Sequence, residues 1–278
     1  MIKQPIPLTP IEVRVLTRCP LHYHFLQQKP SLQADPAQEE LDKLVRETIQ
    51  QLHAAGGPAR LSLEDCLEKV TNQSKARQMI ERYYHRLEQD WPQMMAGNET
   101  MQLRISIGGV SLSLQGTADR LDKTSDGGIL AILFRTENGP LPTEADLRRD
   151  RAMIIYHALV AATYPLKRPV RIQEWWLSLD QRVTIELSEE EFRGNLSDLR
   201  EPVQALARGE VMARPGLHCD TCPFKYHGCP VYSHEADTKS EGLLSEGSQS
   251  EGSQSESDDF ALRPPDGKIP PRKWVFKI

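Results

Sequence analysis

The chain lacks any run of about 18 apolar residues, and it contains no Gly-x4-Gly-Lys-Ser/Thr motif. The first absence excludes an apolar membrane-spanning helix. The second excludes a P-loop nucleotide site, so any motor activity must come from another chain. No apolar run follows Lys3, and we therefore expect no secretory signal peptide and a cytoplasmic location.

Charge is spread unevenly over the 278 residues, which carry −5 in total. Residues 235–259 contain eight acidic residues and one lysine, whereas residues 260–278 contain five basic residues and one acidic residue. The body, residues 1–234, is therefore close to neutral. Its bulk charge neither requires nor excludes a nucleic-acid partner.

Cysteine is scarce, with five in the chain, but four of the five form a pattern. Cys19 lies near the start, and Cys219, Cys222 and Cys229 follow about 200 residues later as Cys-x2-Cys-x6-Cys. Proline follows three of these four cysteines. Thiolates at this spacing can bind one metal centre. If Cys19 is the fourth ligand, that centre joins the two ends of a folded domain.

The spacing alone leaves alternatives open for these cysteines. A four-cysteine zinc site fits the count as well as an iron–sulfur cluster does. Disulfides would require an oxidising compartment. His218 and His227 flank the cysteines and are possible substitute ligands, but with four cysteines available we expect them to be neighbours only. Cys66 lies in a predicted helix, where we expect an ordinary half-buried residue.

The first hundred residues have the patterns of helices. Thr9 and Glu12 form a capping box around Pro10, which suits the first turn of a helix. Pro20 must interrupt or kink that helix. Apolar residues at helical spacing predict further helices over 38–54, 62–70 and 75–95.

Strand patterns begin after residue 100. Alternation around Gly108-Gly109 predicts a hairpin whose second strand runs towards Asp119. Further strands are predicted at 129–134, 172–179 and 183–187, with helices opened by capping boxes at Thr143 and Ser188. The order of elements predicts an α/β fold with a mixed sheet. We assign residues 1–234 to one domain, with a helical insertion at about 30–100.

The C-terminal residues have a different composition. Residues 235–263 form an acidic Ser/Glu/Gly linker of low complexity that cannot bury a core, so we expect disorder there. Residues 264–278 form a basic-aromatic tail. That tail is predicted either to dock on this protein or a partner or to be frayed.

Three segments together resemble the iron–sulfur PD-(D/E)XK nucleases, which include AddB-type nuclease domains and the CRISPR-associated four-cysteine exonucleases. The segments are Leu8–Phe25 with the first cysteine, Gly116-Thr117-Ala118-Asp119-Arg120-Leu121-Asp122, and the cysteine loop. The resemblance covers roughly residues 8–232. It implies a restriction-endonuclease-like mixed β-sheet flanked by helices. It also implies a 4Fe–4S cluster, rather than zinc, at Cys19, Cys219, Cys222 and Cys229.

The chemistry of this family implies two acids that hold Mg²⁺ or Mn²⁺ and a lysine that positions water. Asp119 matches the first acid, but the second acid and the lysine correspond to Leu133 and Arg135. A family histidine on the early helix corresponds to Arg46, and a Gln-x3-Tyr motif keeps only Tyr156. Four of six expected side chains are therefore replaced.

These replacements damage the expected metal site. Leu133 cannot bind a cation, and Arg135 stays protonated where a cation should lie. Glu137 is the candidate for a migrated second acid, since it lies on the same strand face as Leu133 if the strand continues. Otherwise we expect Asp119 to be a structural carboxylate, paired with Arg120 or Arg135.

Two classes of function follow. The favoured one is a non-catalytic, iron–sulfur, DNA-binding or scaffold module in DNA repair or recombination, working with a helicase or another repair subunit. In it, Arg135 is predicted to contact a phosphate in the vacated metal position. The alternative is an active DNA exonuclease that uses Asp119 and Glu137 with Mg²⁺ or Mn²⁺. A weaker third option is a structural subunit without DNA contact.

Overall fold

The computed structural model describes residues 4–28, 35–232 and 276–277, and the predicted linker at 235–263 lies outside these ranges. Six strands form one mixed sheet with helices on both faces, which confirms the predicted α/β class. Within the described ranges, no helix combines the length and the apolar character that a membrane crossing requires.

The elements follow one another from the N-terminus to the C-terminus. The strands are β1 (Ile6–Leu8), β2 (Met94–Ile107), β3 (Val110–Lys123), β4 (Ile129–Arg135), β5 (Val170–Trp176), β6 (Gln181–Glu186), β7 (Glu210–Val211) and β8 (Phe276–Lys277). The helices are α1 (Pro10–Arg18), α2 (Pro20–Gln28), α3 (Pro36–Ala55), α4 (Leu63–Glu68), α5 (Ser74–Gln89), α6 (Glu144–Arg149), α7 (Arg151–Thr163), α8 (Glu189–Ser197) and α9 (Arg200–Ala207).

Strand β3 organises the sheet. It pairs with the antiparallel β2 along most of its length, and its other edge pairs with parallel β1 and then with antiparallel β4. Strand β4 continues to parallel β5, and β5 continues to antiparallel β6. The pairing of β3 with β4 covers only Arg120 to Lys123. The two strands therefore separate at Asp119.

Strand β4 is buried on both faces, as its continuous apolar run predicts. Ala131 and Leu133 belong to the core that contains α1 and α7. Ile132 and Phe134 belong to the opposite core, under α3, α4 and α5. Because side chains alternate along a strand, Arg135 points to the same face as Leu133.

Several helices differ from the predicted ones at their ends. The helix predicted from Thr143 to about residue 162 is two helices, because Asp150 ends α6 and its carboxylate caps the N-terminus of α7. The helix predicted from Ser188 is likewise divided into α8 and α9. Strand β1 was not predicted. Cys66 of α4 is fully buried rather than half-buried, with 2% of its surface exposed.

The cysteine loop follows β7 and includes a short 3-10 helix at Leu217–Thr221. Strand β7 also pairs antiparallel with β8, whose two residues belong to the predicted basic-aromatic tail. The cysteine loop contacts the start of α2 through the backbone, since Leu21 donates to the carbonyl of Met212. The N- and C-terminal parts of the domain therefore meet here.

Candidate functional site

A cavity of about 470 Å³ opens where β3 and β4 separate. We call it the strand-end cavity. Four residues singled out in the sequence line it, namely Asp119, Leu133, Arg135 and Tyr156. The structure therefore brings together the positions that the resemblance assigns to an active site. Arg46 of α3 lines the same cavity.

Both carboxylate oxygens of Asp119 accept hydrogen bonds. Oδ2 accepts from the backbone N–H of Phe134 at 2.7 Å, which replaces the next ladder bond between β3 and β4. Oδ1 accepts from Nη1 of Arg46, with which Asp119 also forms an ion pair. The predicted partners of Asp119 were wrong, because Arg120 pairs with Asp122 and Arg135 pairs elsewhere.

The Arg46 guanidinium lies among three acceptor groups. Besides Asp119, its Nη2 donates to the carbonyl oxygen of Phe134 at 2.8 Å, and its Nε donates to Oδ2 of Asp42 at 2.7 Å. Asp42 is itself oriented by the hydroxyl of Thr136 at 2.8 Å. Two carboxylates and one carbonyl therefore surround a guanidinium. The positive charge at this strand end is therefore that of the Arg46 side chain.

Arg135 is bound to a buried acid on the neighbouring strand. Its guanidinium donates twice to Oε1 of Glu174, whose residue surface is 3% exposed. The indole of Trp176 donates to the other oxygen of Glu174 at 3.2 Å. Burial alone would lower the pKa of Arg135, but the adjacent Glu174 outweighs it and the pKa is raised. Arg135 stays charged and is already paired.

Tyr156 on α7 lines the strand-end cavity beside these two arginines. Burial raises the pKa of Tyr156, although the charge of Arg135 acts in the opposite direction. Its hydroxyl therefore stays protonated at neutral pH and offers a hydrogen-bond donor, not a base.

Glu137 does not join Asp119. It follows the end of β4 and lines a second cavity of about 540 Å³, and Asp119 is not among the residues that line this one. Arg135 lines both cavities, as part of the wall between them. Strand β4 ends at Arg135, so the continuation that would have aligned Glu137 with Leu133 is not present.

The four predicted cysteines line one small cavity, which we call the cysteine cavity. Its volume is about 20 Å³, and Cys19, Cys219, Cys222 and Cys229 are all free thiols. Cys19 is buried, whereas the other three are half-buried. The structure therefore brings residues from the two ends of the domain to one place.

The thiols influence one another. Burial raises the pKa of Cys222 and of Cys229, and the neighbouring cysteines raise both further. Backbone N–H groups of Arg214 and Gly216 point at the sulfurs of Cys19 and Cys219, at 3.5 Å and 3.4 Å. Backbone donors to sulfur are typical of the surroundings of sulfur ligands.

The donor set fits a thiolate-bound centre in kind. Two imidazole nitrogens beside it, Nε2 of His22 and Nε2 of His218, are buried and have no hydrogen-bond partner among the described residues. Over the same residues, no group of three or more His, Cys, Asp or Glu side chains is arranged as a metal site. The sulfurs therefore share a cavity without forming the geometry of a ligand set.

Two functional residues escaped the sequence analysis, although each left a signal. Asp42 lies four residues before Arg46, a spacing that places both on one face of a helix. Glu174 is an acid within the apolar strand β5. A charged side chain in a strand that is buried on both faces requires a partner. The first signal does not reveal that Thr136 also binds Asp42, and the second does not reveal that the partner of Glu174 is Arg135.

A family model matches most of the chain. Residues 7–227 match the family described as the PD-(D/E)XK nuclease superfamily. Among solved structures, the crystal structure of SSO0001 is similar with a TM-score of 0.45 and 14% sequence identity, over 84% of this chain and 89% of that chain. No curated protein matches this chain at a significant level.

Proposed function

Because this chain belongs to the PD-(D/E)XK nuclease superfamily, we propose that it is a non-catalytic, DNA-binding member with a structural iron–sulfur cluster. The proposal keeps the nuclease fold as a binding platform and assigns it no cleavage chemistry. Its partner is a helicase or another subunit of DNA repair or recombination, since the sequence has no P-loop of its own.

One observation carries the absence of catalysis. The Arg46 guanidinium occupies the space between Asp119 and Asp42 and uses the carbonyl of Phe134 as well. A divalent ion near Asp119 would have to displace a paired positive charge, and Leu133 supplies no ligand in return. The lysine position is held by Arg135, which stays protonated and donates its hydrogen bonds to Glu174 rather than to Asp119.

The alternative of a migrated acid finds no support in the geometry. Glu137 and Asp119 line different cavities, and Arg135, which pairs with Glu174, lines both. Two acids must reach one cation to share it. We therefore rank an active exonuclease below the non-catalytic module.

The cysteine cavity supports the cluster in its donor types. Four free thiols from both ends of the domain, together with N–H donors to two of the sulfurs, suit iron–sulfur ligation. When bound, such a cluster would supply a covalent link between α1 and the cysteine loop. Zinc is the alternative ligand, and metal analysis of anaerobically purified protein distinguishes the two.

A cleavage assay tests the proposal. Labelled single-stranded and duplex DNA are incubated with Mg²⁺ or Mn²⁺ and the anaerobically purified protein. We expect no metal-dependent cleavage above that of Asp119→Ala, but salt-sensitive binding of at least one of the two DNAs. A triple variant, Arg46→His with Leu133→Asp and Arg135→Lys, restores three of the four replaced family side chains and is expected to gain weak cleavage.

Robust cleavage by the wild-type protein that is lost in both Asp119→Ala and Glu137→Ala would contradict the proposal and favour the migrated acid. Failure to bind either DNA, with metal content intact, would favour a structural subunit without DNA contact.

A further inference from the structure

The two cavities that share Arg135 differ in the charge they offer to a ligand. We infer that DNA places its phosphodiester backbone in the second cavity, against Arg18 and Arg149, and not in the strand-end cavity. This inference rests on the proposed DNA binding and names the surface that performs it.

The strand-end cavity has no free positive charge among the residues that line it. Arg46 is neutralised by Asp119 and Asp42, and Arg135 is neutralised by Glu174. A phosphate there would have to break buried ion pairs and would leave carboxylates without partners. The vacated metal position is therefore a poor phosphate site, which corrects the role predicted for Arg135.

The second cavity, which we call the arginine cleft, lies between α1, the segment after β4, and the α6–α7 junction. Its volume is about 540 Å³, and five arginines line it: Arg14, Arg18, Arg135, Arg149 and Arg151. Three of the five are engaged. Arg14 pairs with Asp150, Arg135 with Glu174, and Arg151 with Asp198.

Arg18 and Arg149 are the cations that remain available. Both are exposed, and neither makes a hydrogen bond or an ion pair with another residue in the described part of the chain. Both arginines lie at the ends of helices: Arg18 is the last residue of α1, and Arg149 is the last residue of α6. The ion pair of Arg14 with Asp150 holds these two helix ends at one cleft.

The acidic residues of the cleft are mostly committed. Asp150 and Glu174 are ion-paired, and Asp146 accepts from the backbone and hydroxyl of Thr143 in a helix cap. The charge of Glu137 acts on Arg135, and Asp146 and Arg149 act on each other, but neither acid forms a hydrogen bond or an ion pair with Arg18 or Arg149 in the described part of the chain. A cleft with low-dielectric walls concentrates the field of its unpaired charges, so two free guanidiniums attract a polyanion.

The chemistry of the ligand follows from the guanidinium group. It presents a planar fork of N–H donors that matches two phosphate oxygens, and it remains charged at every physiological pH. Two such groups in one cleft suit two phosphates of a single backbone. Arg18 also immediately precedes Cys19, so bound DNA would lie next to the cysteine cavity.

The test compares two variants with the same loss of charge. One carries Arg18→Ala with Arg149→Ala. The control carries Arg60→Ala with Arg104→Ala, two exposed arginines that lie outside the arginine cleft and form no ion pair with described residues. Binding of labelled single-stranded and duplex DNA is measured by fluorescence anisotropy over a salt series, and a thermal melt verifies that both variants fold.

We expect the cleft variant to bind about tenfold or more weakly at ~0.1 M salt. Its slope of log K against log salt should become shallower by roughly 1.4 on single strands, or roughly 1.8 on duplex, because two phosphate contacts are lost. The control should keep the wild-type slope. Equal losses in the two variants would overturn the cleft while leaving DNA binding intact. Absence of DNA binding by the wild-type protein would overturn both proposals.

Discussion

The strand-end cavity and the cysteine cavity differ in whether their polar groups have partners. In the first, the two arginines and the two acids Asp42 and Asp119 each have an ionic partner within the fold, and the partner of Arg135 is Glu174. In the second, His22 and His218 each leave a buried ring nitrogen without a partner among the described residues, and the thiols are free.

The contrast is between charged groups that neutralise one another and donors that have no partner. A buried charge without a partner is costly, so the ion pairs stabilise the charged groups of the strand-end cavity. The free thiols and the two unpartnered imidazole nitrogens of the cysteine cavity form no such ion pairs among the described residues. Its polar groups are the ones we expect a ligand to satisfy.

The largest loss of stability is expected from a substitution in the cysteine cavity. Cys19→Ala removes the one proposed ligand from the N-terminal part of the domain. Since the proposed cluster would close a loop of about 200 residues and its binding would be coupled to folding, we expect iron loss and destabilisation of about 3–5 kcal/mol. Iron analysis and urea unfolding under anaerobic conditions measure both. Cys66→Ala, a buried cysteine outside the cavity, is the matched control and should keep its iron. Unchanged iron in Cys19→Ala would remove this residue from the site.

A smaller loss of stability is expected from a substitution in the strand-end cavity. Arg46→Met leaves the carboxylates of Asp119 and Asp42 without their cation, which should cost about 2–3 kcal/mol, because the Asp119 side chain is 11% exposed. Lys43→Met on the same helix removes an exposed pair with Glu47 and should cost less than about 0.5 kcal/mol. Urea unfolding measures each change.

A double-mutant cycle sharpens this prediction. Asp119→Leu in the Arg46→Met background should recover part of the lost stability, since the unpaired charge of Asp119 is then absent. Strictly additive losses for the two substitutions would show that Arg46 and Asp119 do not stabilise each other.

The third effect, the smallest per pH unit, concerns a half-buried histidine outside both cavities. Burial lowers the pKa of His157 to about 4 from the usual 6.5, with a minor contribution from Arg168. Below pH 6.5 the unfolded chain therefore binds a proton that the folded chain refuses until about pH 4, so stability falls as the pH falls through this range. The slope from this residue is at most about 1.4 kcal/mol per pH unit.

The comparison variant is His157→Phe, which should make the dependence of the unfolding free energy on pH shallower between 6.5 and 4. Part of the dependence should remain, because burial also lowers the pKa of His53 to about 4. An identical slope in His157→Phe and the wild type would mean that His157 is protonated equally in both states.

Local features of the fold were readable from the chain. The capping boxes at Thr9, Thr143 and Ser188 are all present, and Gly56 ends α3 in the left-handed conformation. The hairpin turns at Gly108-Gly109, where both glycines have positive φ. Each of these contacts joins residues only a few positions apart, so the local sequence contains both partners.

The partners of the charged groups were not readable in the same way. Arg46 and Asp119 are 73 positions apart, and Arg135 and Glu174 are 39 apart. Sequence analysis offered Arg120 and Arg135 for Asp119 because they are near in the chain or on the next strand. The α3 helix instead packs over the sheet and delivers Arg46 to the point where β3 and β4 separate.

The sequence by itself determined which chemical groups this protein has: four patterned cysteines, a first acid at Asp119, and Leu133 and Arg135 where an acid and a lysine are expected. Tertiary structure alone decided their states, by making Arg46 the cation at the strand end, by pairing Arg135 with Glu174, and by leaving Arg18 and Arg149 without an ion pair among the described residues. The physical reason is that the identity of a group is covalent, whereas its charge partner and its burial depend on which distant elements pack against it.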